Sequence, residues 1–286
     1  MTQSNVTIQD LMEVIELPEM IKEKINRLLI QISLDDLNSS ADKLLDQAKA
    51  SEEAKRLSVQ YKQDTISELI FHLYAASLSW EKIYFPLAIP YKIYVGTMRA
   101  FTRFLKESQQ INHHYKFDRG FWTWRYISGI EFRINELEFE MVAPAHKHKV
   151  SQLVDKKYIS IHIPSDANLE HSVIAKNYLE AKSFFKQYFP SYHDVPFVTD
   201  TWLLSPLLKN WVKPTSNLSL FANDYQLLLT EPSKNDGVFW IFNTISADVA
   251  NYPEKTSLQR AAKKAMLSGE AIGSALGLLQ LEIENN

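Results

Sequence analysis

Residues 158–164, YISIHIP, alternate strictly between polar and apolar types, the period of an extended strand. In that conformation Ile159, Ile161 and Ile163 face a core, while Tyr158, Ser160 and His162 share the opposite side. His162 therefore closes a strand just before a strand-to-helix turn, the position at which α/β proteins bind ligands. An imidazole there can exchange a proton near neutral pH, or it can be hydrogen-bonded beneath the following helix. Residues 195–204 read as a second strand, whose parity puts Val198, Asp200 and Trp202 on one face. An aspartate among apolar neighbours must find a partner if it is buried. Arg119, Arg125 and Arg133 are available to Asp118, Asp200 or nearby glutamates as a structural ion-pair network. Trp122, Trp124 and Trp202 can wall an acyl or aromatic pocket, or fill core space as most strand tryptophans do.

Other constellations carry less chemistry. His146 and His148 stand two apart, as a metal pair in a loop would, but no third ligand has defined spacing, so a solvated basic loop is expected and no metal site. Glu136, Glu138 and Glu140 alternate like the wet face of a sheet. The chain has no cysteine, which removes disulfides, thiolate nucleophiles and cysteine metal sites. Its seven glycines form neither a P-loop nor a dinucleotide fingerprint, and no G-x-S-x-G elbow occurs. A formal charge of -3 over 286 residues argues against a nucleic-acid binder.

The elements that must position these residues change character near residue 115. Before it the apolar spacing is helical: residues 8–15, a helix opened by Pro18, another over 35–49, a long one over about 52–84, and one from Pro90 to Lys106. Arg99, Arg103 and Lys106 form a basic stripe on the last of these, expected to face solvent. After residue 115 the period approaches two. Residues 121–126 read as a strand with Trp122, Trp124 and Tyr126 on one side, and 132–142 as another. A helix over 169–188 capped by Ser165 or Asp166 follows, then one capped by Thr256 or Ser257 and ended by Gly269, then a final strand in 271–283. Residues 219–230 and 237–243 fit either strand or short helix. The N-terminus carries no targeting pattern and no apolar run reaches ~20 residues, so a cytoplasmic protein without a membrane span is expected.

Several strings are familiar: FDRGFWTWR at 117–125, FRINELE at 132–138, ISIHIPSD at 159–166, TWLLSP at 201–206, TSLQR at 256–260 and GSALG at 273–277. Together they resemble the bacterial acyltransferase-domain family with a helical N-acyltransferase N-terminal domain and a GNAT-like C-terminal domain. The resemblance implies an α+β chain. A helical domain over 1–114 would precede a GNAT-like mixed β-sheet domain with flanking helices over 115–286. It implies that strands 158–164 and 195–204 splay apart, that an acyl-CoA thioester lies in the splay, and that an amine attacks its carbonyl. His162 would then be the base or orienter with Asp200 beside it, and Trp122, Trp124 and Trp202 the pocket walls. Active GNAT enzymes grip the pyrophosphate with a glycine loop at a helix N-terminus. Here that turn reads PSDANLE at 164–170, without glycine and with two acidic residues. Arg260, Lys263 and Lys264 would be the substitutes for phosphate contact, or else a solvated helix face. Two other readings stand beside this one: a non-catalytic small-molecule or protein-binding protein on a degenerate GNAT fold, and an interaction module in the helical half using the Arg99/Arg103/Lys106 face.

Overall fold

The computed structural model describes residues 5–233 and 235–280. The chain forms two compact units, 1–140 and 141–286. The first holds eight α-helices among the described residues: α1 (Ile8–Val14), α2 (Glu19–Leu29), α3 (Leu34–Leu45), α4 (Ala50–Gln60), α5 (Thr65–Ser79), α6 (Tyr91–Met98), α7 (Ala100–Asn112) and α8 (Gly120–Ile127). The long helix expected over 52–84 is broken by a turn at 61–64, where Asp64 caps α5 by accepting from Ser67 N. Helix α5 is the axis of this unit. Its Leu69, Ile70, Leu73, Ala75 and Ala76 are fully buried, and α1, α2, α3 and α8 pack around it. No described helix is long and apolar enough to cross a membrane.

Residues 121–126 are helical, not extended. Alternating aromatics satisfied the strand period, but the helical period places Gly120, Thr123, Tyr126 and Ile127 together on the buried side of α8. Gly120 lets α8 approach α5 closely, since a Cβ there would run into the Glu68 carboxylate. The expected strand over 132–142 is a hairpin, β1 (Glu131–Ile134) and β2 (Leu137–Val142), with Ile134 opposite Leu137. Its two-residue turn uses Asn135 at φ 52°, a left-handed conformation that asparagine tolerates. The glutamates of this segment are not a wet face: Glu138 is buried and accepts from Arg103 Nη2 at 2.8 Å and from the Tyr126 hydroxyl at 2.9 Å. Arg103 is correspondingly buried, so the basic stripe on α7 does not face solvent as a unit.

A buried polar chain crosses from α5 to α8. Thr123 Oγ1 lies 2.9 Å from His72 Nδ1, and His72 Nε2 lies 4.0 Å from Glu68 Oε1. Burial, aided by the charge of Asp118, pushes the Glu68 carboxyl up to about 7, and burial pushes the His72 imidazole down to about 3. Native Glu68 keeps a proton that the unfolded chain releases near 4.5, so its contribution to stability falls as pH rises from 4.5 to about 7. His72 acts oppositely: the unfolded chain gains a proton below 6.5 and the native one does not until about 3, so stability falls as pH drops through that window. The two slopes offset each other in the overlap. Glu68→Gln removes only the first. Relative to the parent, the variant should gain about 2–3 kcal/mol on going from pH 5 to pH 8. Urea unfolding at the two pH values measures it, and an unchanged difference would contradict this account.

The second unit contains β3 (Tyr158–His162), α9 (His171–Tyr188), β4 (Phe197–Thr201), α10 (Leu208–Trp211), α11 (Asn217–Asn223), β5 (Tyr225–Glu231), α12 (Val238–Phe242), α13 (Ser257–Leu267) and β6 (Ser274–Leu279). The strands lie in the order β3-β4-β6-β5. β3 and β4 are parallel, while β6 runs antiparallel to both β4 and β5, making a mixed sheet. The ambiguous 219–230 segment is part helix and part strand, and 237–243 contains the short helix α12. Helix α9 starts later than expected: Glu170 is its N-cap without a side-chain cap bond, and Ser165 and Asp166 precede it in the connection. Thr256 caps α13 through a reciprocal bond with Gln259, and Gly269 follows the helix at φ 87°, both as the sequence predicts. The final strand ends at Leu279; residues 281–283 of its expected range lie outside the described residues.

Candidate functional site

The parallel pair β3–β4 has a short register. Ile159 pairs with Phe197 and Ser160 with Val198, and the register goes no further. One residue on, the Thr199 hydroxyl donates to the Ile161 carbonyl at 2.9 Å, a side chain standing where a continuing ladder would use backbone. His162 and Asp200 belong to the stretch beyond. The inward parity of β3 is as the sequence predicts: Ile159 and Ile161 are buried, and Tyr158, Ser160 and His162 are half-buried on the other side. One face of the sheet is covered by α9, whose Phe185 ring meets Phe197 edge-on at 6.0 Å. On the other, Val150 and Leu153 pack with Val198.

Beside that small cluster the second face keeps an open cleft of about 360 Å³. All four strands of the unit contribute to its floor: Tyr158 and Ser160 from β3, Val198 and Asp200 from β4, Leu276 from β6 and Leu229 from β5. Lys147, His148 and Lys149 form its rim. Lys149 Nζ is held by Glu231 at 2.6 Å. His148 Nδ1 lies 3.0 Å from the Val150 amide nitrogen and 3.2 Å from the Val150 carbonyl oxygen, and the imidazole stands edge-on to Tyr158 at 5.8 Å. His146 is turned to a different partner, Asp155, at 2.6 Å.

The structure brings together only part of the predicted set. Asp200 lines the cleft and is exposed, and His162 closes β3 but is not among the lining residues. Trp202 leaves the strand face altogether. β4 ends at Thr201, and Trp202 starts a 3-10 turn whose indole packs with Ile241, Phe242, Tyr252, Ala262 and Ile272. Gly237 lies flat against that ring; a Cβ there would stand 2.7 Å from the indole Cγ. Trp122 and Trp124 sit on α8 of the first unit, with the Arg125 guanidinium 4.4 and 4.7 Å from their rings and bonded to Glu140 at 2.8 Å. Arg260 donates to the Glu254 carbonyl at 2.9 Å, and Lys263 bridges the Tyr252 carbonyl and the Glu254 carboxylate, each at 2.8 Å. Both therefore fasten residues 252–254 to α13, and Lys263 holds the Glu254 carboxyl below its ordinary range; Lys264 is exposed. Lys147, Lys149, Leu229 and Leu276 carry no sequence signal that marks them as site residues. Alternation alone put Tyr158 and Ser160 on the His162 side, but nothing local brings residues 147–149, 229 and 276 to the same spot.

A family described as the GNAT-like C-terminal domain matches residues 132–279. The chain belongs to that family. No curated protein sequence matches it significantly. Among solved structures, an acyltransferase mutant in complex with octanoyl-CoA aligns at a TM-score of 0.72 with 18% identity, covering 96% of this chain and 87% of that one. An acyltransferase in complex with decanoyl-CoA and teicoplanin gives the same values, and one with CoA and 10C-teicoplanin aligns equally well at 17% identity. At such identities the likeness is one of fold, and it extends across the helical region as well as the GNAT-like domain.

Proposed function

We propose that this protein is an N-acyltransferase that moves an acyl group from a coenzyme A thioester to an amine. The carrying observation is the parallel pair whose ladder stops at Ser160 and Val198, with an open cleft on its face. A cleft on the face of a parallel pair with so short a register can receive an extended chain such as pantetheine, and neighbouring folds were captured with acyl-CoA bound. The amine attacks the thioester carbonyl, loses a proton, and the thiolate departs. His162, at the end of β3, is assigned to take or orient that proton, and Asp200 to hold the incoming amine.

The start of α9 does not fit a pyrophosphate as a glycine loop would. Glu170 is the N-cap and Asp166 precedes it, placing negative charge at the helix end that would receive the phosphates. No phosphate contact is assigned there. The same observation favours a second reading, a binding protein that keeps the GNAT fold without turnover.

Thermal-shift titration with coenzyme A and a series of acyl-CoA esters separates the two. A ligand at ~100 times its dissociation constant adds about 2.7 kcal/mol, raising the melting midpoint by several degrees. A shift that varies with acyl chain, followed by thiol release when amines are added, is expected. No shift at millimolar ligand would overturn the acyltransferase reading and leave the binding protein.

A further inference from the structure

We infer that residues 85–88 form a rigid apolar tip that seats in the interface of an anionic lipid bilayer, holding the protein on a membrane surface without crossing it. The inference is independent of the acyl-transfer reading. Phe85, Pro86, Leu87 and Ala88 are apolar residues in succession, and all of them are exposed, Phe85 by 45% and Leu87 by 41%. Such a run has no part in the core, and water is its least favourable neighbour. The backbone around it is fixed. Trp80–Tyr84 form one π-helical turn, continued by Phe85 N donating to the Trp80 carbonyl at 2.8 Å. Ala88 N then donates to the Phe85 carbonyl at 2.9 Å and Ile89 N to the Tyr84 carbonyl at 3.0 Å, closing the loop on its own stem. Ala88 holds a φ of 56°, a left-handed conformation that is costly for a residue with a Cβ. On either side Trp80, Tyr84 and Ile89 are buried, and the Phe85 ring stands edge-on against Trp80 at 5.9 Å. The core thus anchors the loop at both ends and leaves its apolar tip outside.

Size and charge point to lipid as the occupant. The tip falls far short of the ~20–30 residues and about 800 Å² a side of a stable protein–protein interface. It suffices for shallow insertion, in which Phe85 and Leu87 each gain by leaving water. Shallow insertion alone is marginal, and stable attachment takes a second signal. Lys82 and Lys92 supply it: both are exposed, one on each side of the tip, and neither has an ion pair or hydrogen bond among the described residues. Glu81 is the one acid in residues 81–92, which leaves the segment with a net positive charge. Lysine heads can reach lipid phosphates while their stems lie along apolar surface. Tyr91, half-buried with its ring 5.0 Å from Trp80, adds an aromatic side chain with a polar end, the kind that suits the headgroup level.

Co-sedimentation of the full chain with sucrose-loaded vesicles tests this, using equal parts phosphatidylcholine and phosphatidylglycerol, or phosphatidylcholine alone. The chain is expected to pellet with the mixed vesicles and several-fold less with phosphatidylcholine. Phe85→Ser combined with Leu87→Ser should weaken partitioning about tenfold or more, from the apolar area lost. Lys82→Gln with Lys92→Gln should remove the preference for anionic vesicles together with its salt dependence. All these side chains are exposed, and thermal melting of the variants checks that folding is kept. Phe85→Trp reads insertion without any loss of binding: its emission, taken as the difference from the parent, should shift to the blue when mixed vesicles are added. No pelleting of the parent, unweakened pelleting of the double serine variant, or an unmoved emission spectrum would overturn the proposal. So would self-association of the parent in lipid-free sedimentation velocity that the double serine variant loses, since the tip would then belong to a second copy.

Discussion

Replacing His162 with alanine is expected to lower kcat/KM for acyl transfer by about 10²–10⁴-fold, the range for a positioned proton-transfer group. Acyl-CoA binding, read by thermal shift, should change little. The imidazole closes β3 on the stretch where the parallel pair has no register partners, half-buried and on the side of Tyr158 and Ser160. His162→Gln distinguishes the roles. Glutamine keeps a hydrogen-bonding group of similar reach but cannot carry the proton. If the histidine moves a proton, glutamine is as slow as alanine and the acidic limb of the pH–rate profile disappears in both. If it only orients a neighbour, glutamine restores most of the rate. Full activity in both variants would remove His162 from the mechanism.

Arg103→Met is expected to destabilise the protein by about 3–5 kcal/mol, the cost of stripping one partner from a buried ion pair. Arg103 and Glu138 are both buried, and their groups meet at 2.8 Å; Glu107 lies 3.6 Å from the Arg103 Nε. The guanidinium also lies 4.9 Å from the Phe104 ring centroid. Methionine fills much of the volume but leaves the buried Glu138 carboxylate without its cation, and Glu107 with Arg119 at 3.9 Å. Adding Glu138→Gln to Arg103→Met should recover part of the loss, because the amide still accepts from the Tyr126 hydroxyl and carries no charge. Urea unfolding of the four proteins in the cycle gives the coupling directly. A loss below ~1 kcal/mol for the single change would mean that the pair is water-exposed in solution.

Arg103 also marks the limit of reading charge from sequence. It lies on a helix with Arg99 and Lys106, and spacing alone predicts a shared solvated face. Arg99 does reach Glu16 at 2.5 Å on the surface, and Lys106 is exposed. Arg103 is diverted inward because β2, more than thirty residues later in the chain, brings Glu138 to it. Helical periodicity records which residues share a face and says nothing of what arrives opposite.

Local chemistry by itself determined much of the second unit. Strict alternation at 158–162 decided which side chains of β3 go inward, because a period of two allows one assignment when one face is apolar. Thr256, Gln259 and Gly269 set both ends of α13, since capping and left-handed φ are settled within a few residues. The glycine-free, acidic turn before α9 was equally plain, and so was its conflict with a phosphate grip. Tertiary structure decided the rest. Residues 121–126 satisfy both periods, and packing of α8 on α5, permitted by Gly120, chose the helix. Asp200 and Trp202 share a parity on paper but part company, because β4 stops between them and the indole finds Gly237 and an apolar cluster. The cleft is the clearest case. Its lysines, leucines and aspartate come from four separated segments, each bland alone, and only the strand order β3-β4-β6-β5 gathers them on one face.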